Sequence, residues 1–125
     1  MIRIELPWPP SINHYWRNFR GRTVISADGR AYRQTVSYRI LEQGIPRNKL
    51  NCRLAVRIDA YPPDKRRRDL DNIQKALLDA IVAAEVIEDD SLIDALSILR
   101  HEAIGEGKVI VRIDQYDKEV RDLRG

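Results

Sequence analysis

Three runs of alternating apolar residues constrain the fold of this chain more than any other feature. Ile2, Ile4 and Leu6 alternate with Arg3 and Glu5; Cys52, Leu54, Val56, Ile58 and Ala60 do the same over a longer stretch; Val109, Val111 and Ile113 repeat it near the end. A period of two sends every second side chain to one face, so each run predicts a strand with one buried side. Between the runs the period changes. After Ser26, a residue type that caps helix N-termini, Tyr32, Val36 and Ile40 recur at four-residue steps and predict a helix over about 27–43, closed by Gly44 and Pro46. Ile73, Leu77, Ala80, Ile81 and Ala84 form one apolar face and predict a second helix, beginning near 69–71 and ending near Ala84. A third strand is predicted from Ile93 to His101, with Gly105-Glu106-Gly107 as the turn of a hairpin whose returning strand carries Val109, Val111 and Ile113. The order βαβαββ predicts an α+β fold, a mixed sheet with two main helices packed on it. With 125 residues there is room for a single domain over 1–125 and none for a regulatory module. Strand order is not legible in the pattern.

The interruptions are as informative as the runs. Pro7-Trp8-Pro9-Pro10 stops the first strand and Tyr61-Pro62-Pro63 the second, because proline brings no amide donor to a ladder. Residues 11–25 show no clean period and read as a long polar-aromatic loop, a feature that is more often functional than idle in so small a domain. The charged tail 117–125 reads as fraying or as a short helix.

Composition removes several classes. There is no apolar h-region at the start and no apolar run of about eighteen residues, so neither a signal peptide nor a membrane span is expected. The lone Cys52 forms no internal disulfide or cysteine metal site, and His14 and His101 are too scattered to suggest zinc. A cytoplasmic protein without an organic cofactor is expected. The net charge of +3 conceals a division: the chain through Arg68 carries an excess of +10 and the remainder −7. A basic part that meets an acidic part at one point suits a polyanion-binding protein with a carboxylate metal site, though surface charge also segregates by chance.

That meeting point is Asp64-Lys65-Arg66-Arg67-Arg68-Asp69-Leu70-Asp71-Asn72, followed by Lys75. Four adjacent cations gain nothing from burial and need solvent or an anion; phosphate is a natural partner, since guanidinium offers paired donors to two of its oxygens. Asp69 and Asp71, two apart at a predicted helix start, can both turn toward one cation such as Mg²⁺, which takes oxygen ligands. They serve equally well as an N-cap and a dipole-favouring acid. Lys75 shares a helix face with Asp71 and can stabilise charge building on a phosphate, or simply pair with Asp71. Asp79, a turn further on, reads as another such surface partner. Asp89 and Asp90 follow the helix; a third carboxylate there completes a metal site if the helix packs antiparallel to the next strand, and is otherwise an acidic turn. In the 11–25 segment His14, Tyr15, Trp16, Arg17, Phe19, Arg20 and Arg22, with Trp8 ahead of them, interleave rings and cations, a mixture suited to stacked bases and phosphates. For Trp8 a core position beside the prolines is the expectation.

These stretches together resemble the RusA family of Holliday-junction resolvases, found in bacteria and their prophages. The resemblance is carried by Leu6-Pro7-Trp8-Pro9-Pro10-Ser11 with Asn13, by Gly21-Arg22-Thr23, Ser26-Ala27 and Ala31-Tyr32-Arg33, and above all by Asp64 through Lys75 with the spacing on to Asp89-Asp90. It spans most of the chain in order. It implies a homodimeric α+β nuclease that places paired nicks in four-way DNA junctions. The family's catalytic aspartates fall on Asp69, Asp71 and Asp90 and its active-site lysine on Lys75. Arg68 matches a basic residue used near the scissile phosphate. On this basis Asp69, Asp71 and Asp90 would hold Mg²⁺, with Mn²⁺ as a substitute, while Lys65, Arg66, Arg67, Arg68, Arg17, Arg20, Arg22 and Asn13 would contact DNA. Val86-Ile87-Glu88 departs from the more aromatic segment of the family, which bears on DNA sequence preference. Two rivals remain: a junction-binding protein without catalysis, and a nuclease acting on other branched DNA or on RNA.

Overall fold

The computed structural model describes residues 2–117; the tail beyond Asp117, with its expected fraying or short helix, lies outside the described residues. In chain order the elements are β1 (Ile2–Pro7), α1 (Ile12–Tyr15), β2 (Trp16–Phe19), β3 (Arg22–Ile25), α2 (Ala27–Glu42), β4 (Leu54–Tyr61), α3 (Asp71–Ala83), a 3₁₀ turn (Asp90–Leu92), β5 (Ile93–Arg100) and β6 (Lys108–Gln115). The predicted α+β architecture with its two main helices is present, and no helix among the described residues is long and apolar enough to cross a membrane.

The main sheet has the order β1-β6-β4-β5, with β4 and β5 parallel and the other pairs antiparallel. Ile4 and Val56 each lie beside Val111 or Ile113 in register, and Ile58 and Ala60 face Val111 and Val109. That shared face is the floor of the core. Tyr32, Val36 and Ile40 of α2 and Ile73, Leu77, Ala80 and Ile81 of α3 cover it, all buried. Ser26 caps α2, its hydroxyl accepting from the Gly29 amide at 2.9 Å. On the opposite sheet face Asp59 is only 3% exposed, enclosed by Arg57, Arg112 and His101.

Two expectations are corrected. The last two strands do not form a hairpin, because β4 lies between them. Residues 101–107 instead cross the end of β4, where the His101 amide donates to the Ala60 carbonyl at 2.8 Å and the Ile104 amide to the Pro62 carbonyl at 2.9 Å. Inserting β6 between β1 and β4 pairs it on both edges and buries its Val109, Val111 and Ile113 in the sheet centre. Nor is 11–25 a loop. It is a short helix and a two-stranded ribbon in which Trp16 pairs with Ile25 and Phe19 with Arg22. The ribbon turns at Arg20 and Gly21, both with positive φ (51° and 75°), as a two-residue type I′ turn requires. The usual sequence signal, Asn-Gly or Asp-Gly, is replaced here by Arg-Gly, so the hairpin is hidden from pattern reading.

Candidate active site

Beyond β4, Pro62 and Pro63 end the ladder and the chain folds around Asp64. Its carboxylate accepts from the Arg66 amide at 2.9 Å, from the Arg66 guanidinium at 3.0 and 3.2 Å, and from Arg68 at 2.7 and 3.1 Å. The Arg68 and Arg66 donors hold this carboxyl well below its ordinary range. The run of cations therefore carries its own anion: Asp64 ties down Arg66 and Arg68, while Lys65 and Arg67 have no partner among the described residues. Arg68 is fixed from two further sides. Its guanidinium lies 5.9 Å over the Trp8 ring, and its backbone carbonyl accepts from Arg100 of β5. Trp8 packs partly against the core, as expected, and also walls the cleft. That cleft, of about 650 Å³, runs between Trp8–His14 and Arg66–Asp69, reaching Asn72; a second of about 280 Å³ adjoins it and extends to His101. Asp69 lines both.

The helix-capping role open to Asp69 and Asp71 is not taken up as a cap. The N-cap position of α3 is Leu70, with no side-chain hydrogen bond, and Asp71 lies in the first turn, where a negative charge suits the helix dipole. The carboxylates of Asp69, Asp71 and Asp90 make no hydrogen bond or ion pair among the described residues. Asp89 is different: it accepts from the Ser91 amide at 3.0 Å and caps the 3₁₀ turn, and the Ser91 hydroxyl, then this amide, lower its carboxyl below the ordinary value.

Within one chain Asp90 is not brought to Asp69 and Asp71, and the described residues hold no group of three acids, histidines or cysteines able to bind a metal ion. The topology explains this. α3 does run antiparallel to β5, but that places the start of β5 beside the end of α3. Arg68 is tied to Arg100 at the far end of β5, whereas Asp90 precedes Ile93, which pairs with the start of β4. The 13 residues of α3 separate the two acidic points by about 20 Å.

Lys75 makes no ion pair with Asp71 or Asp79 among the described residues. Its ammonium lies 6.0 Å over the ring of Trp16, at the base of the ribbon. Asp79, expected as a surface partner of Lys75, is instead engaged by Arg33, through Nε at 2.8 Å and a terminal nitrogen at 2.7 Å, and by the Tyr15 hydroxyl. Burial, then the Asp79 hydrogen bond, raises the Tyr15 phenol well above its ordinary value. This network joins α1, α2 and α3, and Tyr15 meets Trp16 edge-on at 5.0 Å. Sequence reading missed it because its members are 64 and 46 residues apart. It missed the Asp59 group, Arg100 and the role of Asp64 for the same reason or, for Asp64, because a carboxylate beside four cations reads as one more charge.

Of the residues expected to bind DNA, Arg66, Arg67 and Arg68 line the cleft; Lys65 lines the smaller one only. Arg17, Arg20 and Arg22 lie on the ribbon, and Asn13 is exposed on α1 without lining the cleft.

A mixed sheet backed by two helices sets unpaired carboxylates beside a basic cleft, a combination of charges suited to a phosphodiester backbone. Residues 7–114 match the family model described as endodeoxyribonuclease RusA. The chain is 40% identical over 116 residues, 93% of its length and 96% of theirs, to proteins named crossover junction endodeoxyribonuclease RusA from Shigella sonnei (strain Ss046) and Escherichia coli (strain K12), and equally to one from Enterobacteria phage 82. The chain belongs to the RusA family of endodeoxyribonucleases.

Proposed function

We propose that this protein is a magnesium-dependent, structure-selective endonuclease that works as a cytoplasmic homodimer and resolves four-way DNA junctions by paired symmetric nicks, in recombination and repair. One observation carries the reading: the carboxylates of Asp69 and Asp71 make no hydrogen bond or ion pair among the described residues, and Asp69 lines a cleft whose Arg66 and Arg68 are held in place, Arg66 by Asp64 and Arg68 by Asp64, Trp8 and Arg100. Exposed carboxylates without competing partners are the hard oxygen donors that Mg²⁺ takes, one or two at a time. Asp69 and Asp71 of one chain would hold the ion, with Asp90 of the partner subunit completing the set; Mn²⁺ would substitute. When bound, the ion supplies an activated water and neutralises charge on the phosphate.

The chain's own residues do the rest. Arg68 presents a preoriented guanidinium to a non-bridging phosphate oxygen, and Lys75 supplies a second positive charge where negative charge develops. The water oxygen would bond to phosphorus opposite the 3′-oxygen as the phosphorus–3′-oxygen bond breaks; the water would release a proton to solvent and the departing oxygen would take one up, leaving 5′-phosphate and 3′-hydroxyl ends. Lys65, Arg66 and Arg67, with the arginines of the ribbon, hold the arms through phosphates, reading shape more than sequence.

An end-labelled synthetic junction tests the reading. Mg²⁺ or Mn²⁺ should support symmetric nicking, and Ca²⁺ should support binding with little cleavage. Asp71→Asn should lower the nicking rate at least about a hundredfold while leaving binding intact. Undiminished nicking in chelator rejects the metal mechanism, and binding without nicking under any divalent ion rejects catalysis.

A further inference from the structure

The ribbon β2–β3 contains a feature the chemistry above does not use. Its two faces differ sharply. Trp16 and Ile25 pair at its base and pack against the core, which anchors it to the body. Strand alternation puts Arg17 and Phe19 on the other face of β2, with Arg22 opposite Phe19. Phe19, next to the turn, is 43% exposed, and the guanidinium carbons of Arg17 and Arg20 lie 5.1 and 5.2 Å from its ring centre. Arg20 sits in the left-handed region at φ 51°, which the type I′ turn requires and which brings its side chain back to the ring.

A single exposed phenylalanine is ordinary on a protein surface. This one stands among three guanidiniums, with no carboxylate between Arg17 and Ile25 to balance them. The guanidiniums of Arg17 and Arg20 lie over the ring, but both side chains are exposed, so an unstacked nucleobase can take the ring face as the cations move onto its flanking phosphates. Its position relative to the proposed chemistry is also set. Lys75 lies over Trp16, and Phe19 is three residues further along β2, about 10 Å away at strand rise.

We propose that Phe19 is a base-stacking residue that recognises the branch point of the junction, and so separates branched DNA from continuous duplex. This rests on the reading of the protein as a junction endonuclease. Where four arms meet, the base pairs at the branch point expose a π-face once the protein separates the stacked arms, which breaks fewer contacts than unstacking within a continuous duplex. Arg17, Arg20 and Arg22 contribute to affinity for any DNA through phosphates, while Phe19 contributes only where a base face is open.

The test compares Kd values for a synthetic four-way junction and for a duplex of the same sequence, in Ca²⁺ so that the DNA stays intact. Phe19→Ala should raise the junction Kd about tenfold, toward the lower end of the range for one base–aromatic stack, and change the duplex Kd less than about twofold. Phe19→Leu, apolar but without a π-face, should behave like Phe19→Ala. Phe19→Trp should keep wild-type selectivity, and its added indole emission should be quenched by the junction and not by the duplex. Equal loss on both substrates, wild-type behaviour of Phe19→Leu, unchanged selectivity of Phe19→Ala, or a changed mass by light scattering each overturns the stacking role. If the wild type neither prefers nor cuts the junction, the endonuclease reading falls together with this one. If it does both and Phe19→Ala remains selective, only the stacking role falls.

Discussion

Asp59 illustrates how one buried charge is made tolerable. It lies on the sheet face away from the helices, and it accepts from Arg57 (3.2 Å), Arg112 (2.6 Å) and His101 (2.7 Å), while Tyr61 stacks on the His101 ring at 4.6 Å. Burial pushes its carboxyl up, but the hydrogen bonds from Arg57 and His101 outweigh that and leave it below its ordinary value. A carboxyl lowered in the folded state stabilises the fold above its unfolded value, near 3.8, and that contribution is lost as pH falls through the lower folded value. Urea midpoints should therefore fall as the pH drops below about 4. Asp59→Asn should flatten this part of the profile and lower stability at pH 7 by about 2–3 kcal/mol, since three donors lose their ionised acceptor. Asp64 is only half-buried, so its pairs with Arg66 and Arg68 are screened by solvent and contribute little to stability; its task is orientation. Asp64→Asn should leave the urea midpoint essentially unchanged and lower nicking about tenfold, because Arg68 loses its bidentate partner.

At the scale of elements, the ribbon and α2 meet through a glycine. A Cβ at Gly29 would collide with the Tyr15 carbonyl and stand 2.7 Å from Ile25 Cγ1, so α2 approaches the end of α1 and of β3 only because position 29 has no side chain. Gly29→Ala, favourable in an isolated helix, should here destabilise by about 1–3 kcal/mol in urea unfolding. The same docking sets the Trp16 ring under Lys75, with Tyr15 held behind it by Asp79 and Arg33. Elements were largely legible in the sequence where burial has a period: α2, α3, β1 and β4 all start and stop within a few residues of expectation, because proline, glycine and Ser26 punctuate them. The ribbon was not, since only its Trp16–Ile25 end is packed and its turn uses an unusual residue pair.

For the whole molecule, the separation of Asp90 from Asp69 and Asp71 has a direct consequence for assembly. If Asp90 of the partner subunit completes each site, subunits carrying Asp71→Asn and subunits carrying Asp90→Asn should each be inactive alone. Mixed after unfolding and refolding together, they should form heterodimers with one intact site and convert a cruciform plasmid to nicked circles. Sites built within single chains would leave that mixture inactive. Light scattering of the wild type should report twice the 14.5 kDa chain mass. The sequence by itself determined the α+β class, the alternation that buries one face of each strand, and the residues with chemistry to offer, because periodicity, punctuation and side-chain type are local properties. Tertiary structure alone decided that β6 lies between β1 and β4, that Asp79 and Asp59 are hubs and not surface acids, and that α3 holds Asp90 a helix length away from its predicted partners. Those outcomes depend on which distant surfaces bury one another, and a strand's or carboxylate's neighbour across the core leaves no periodic mark in the chain.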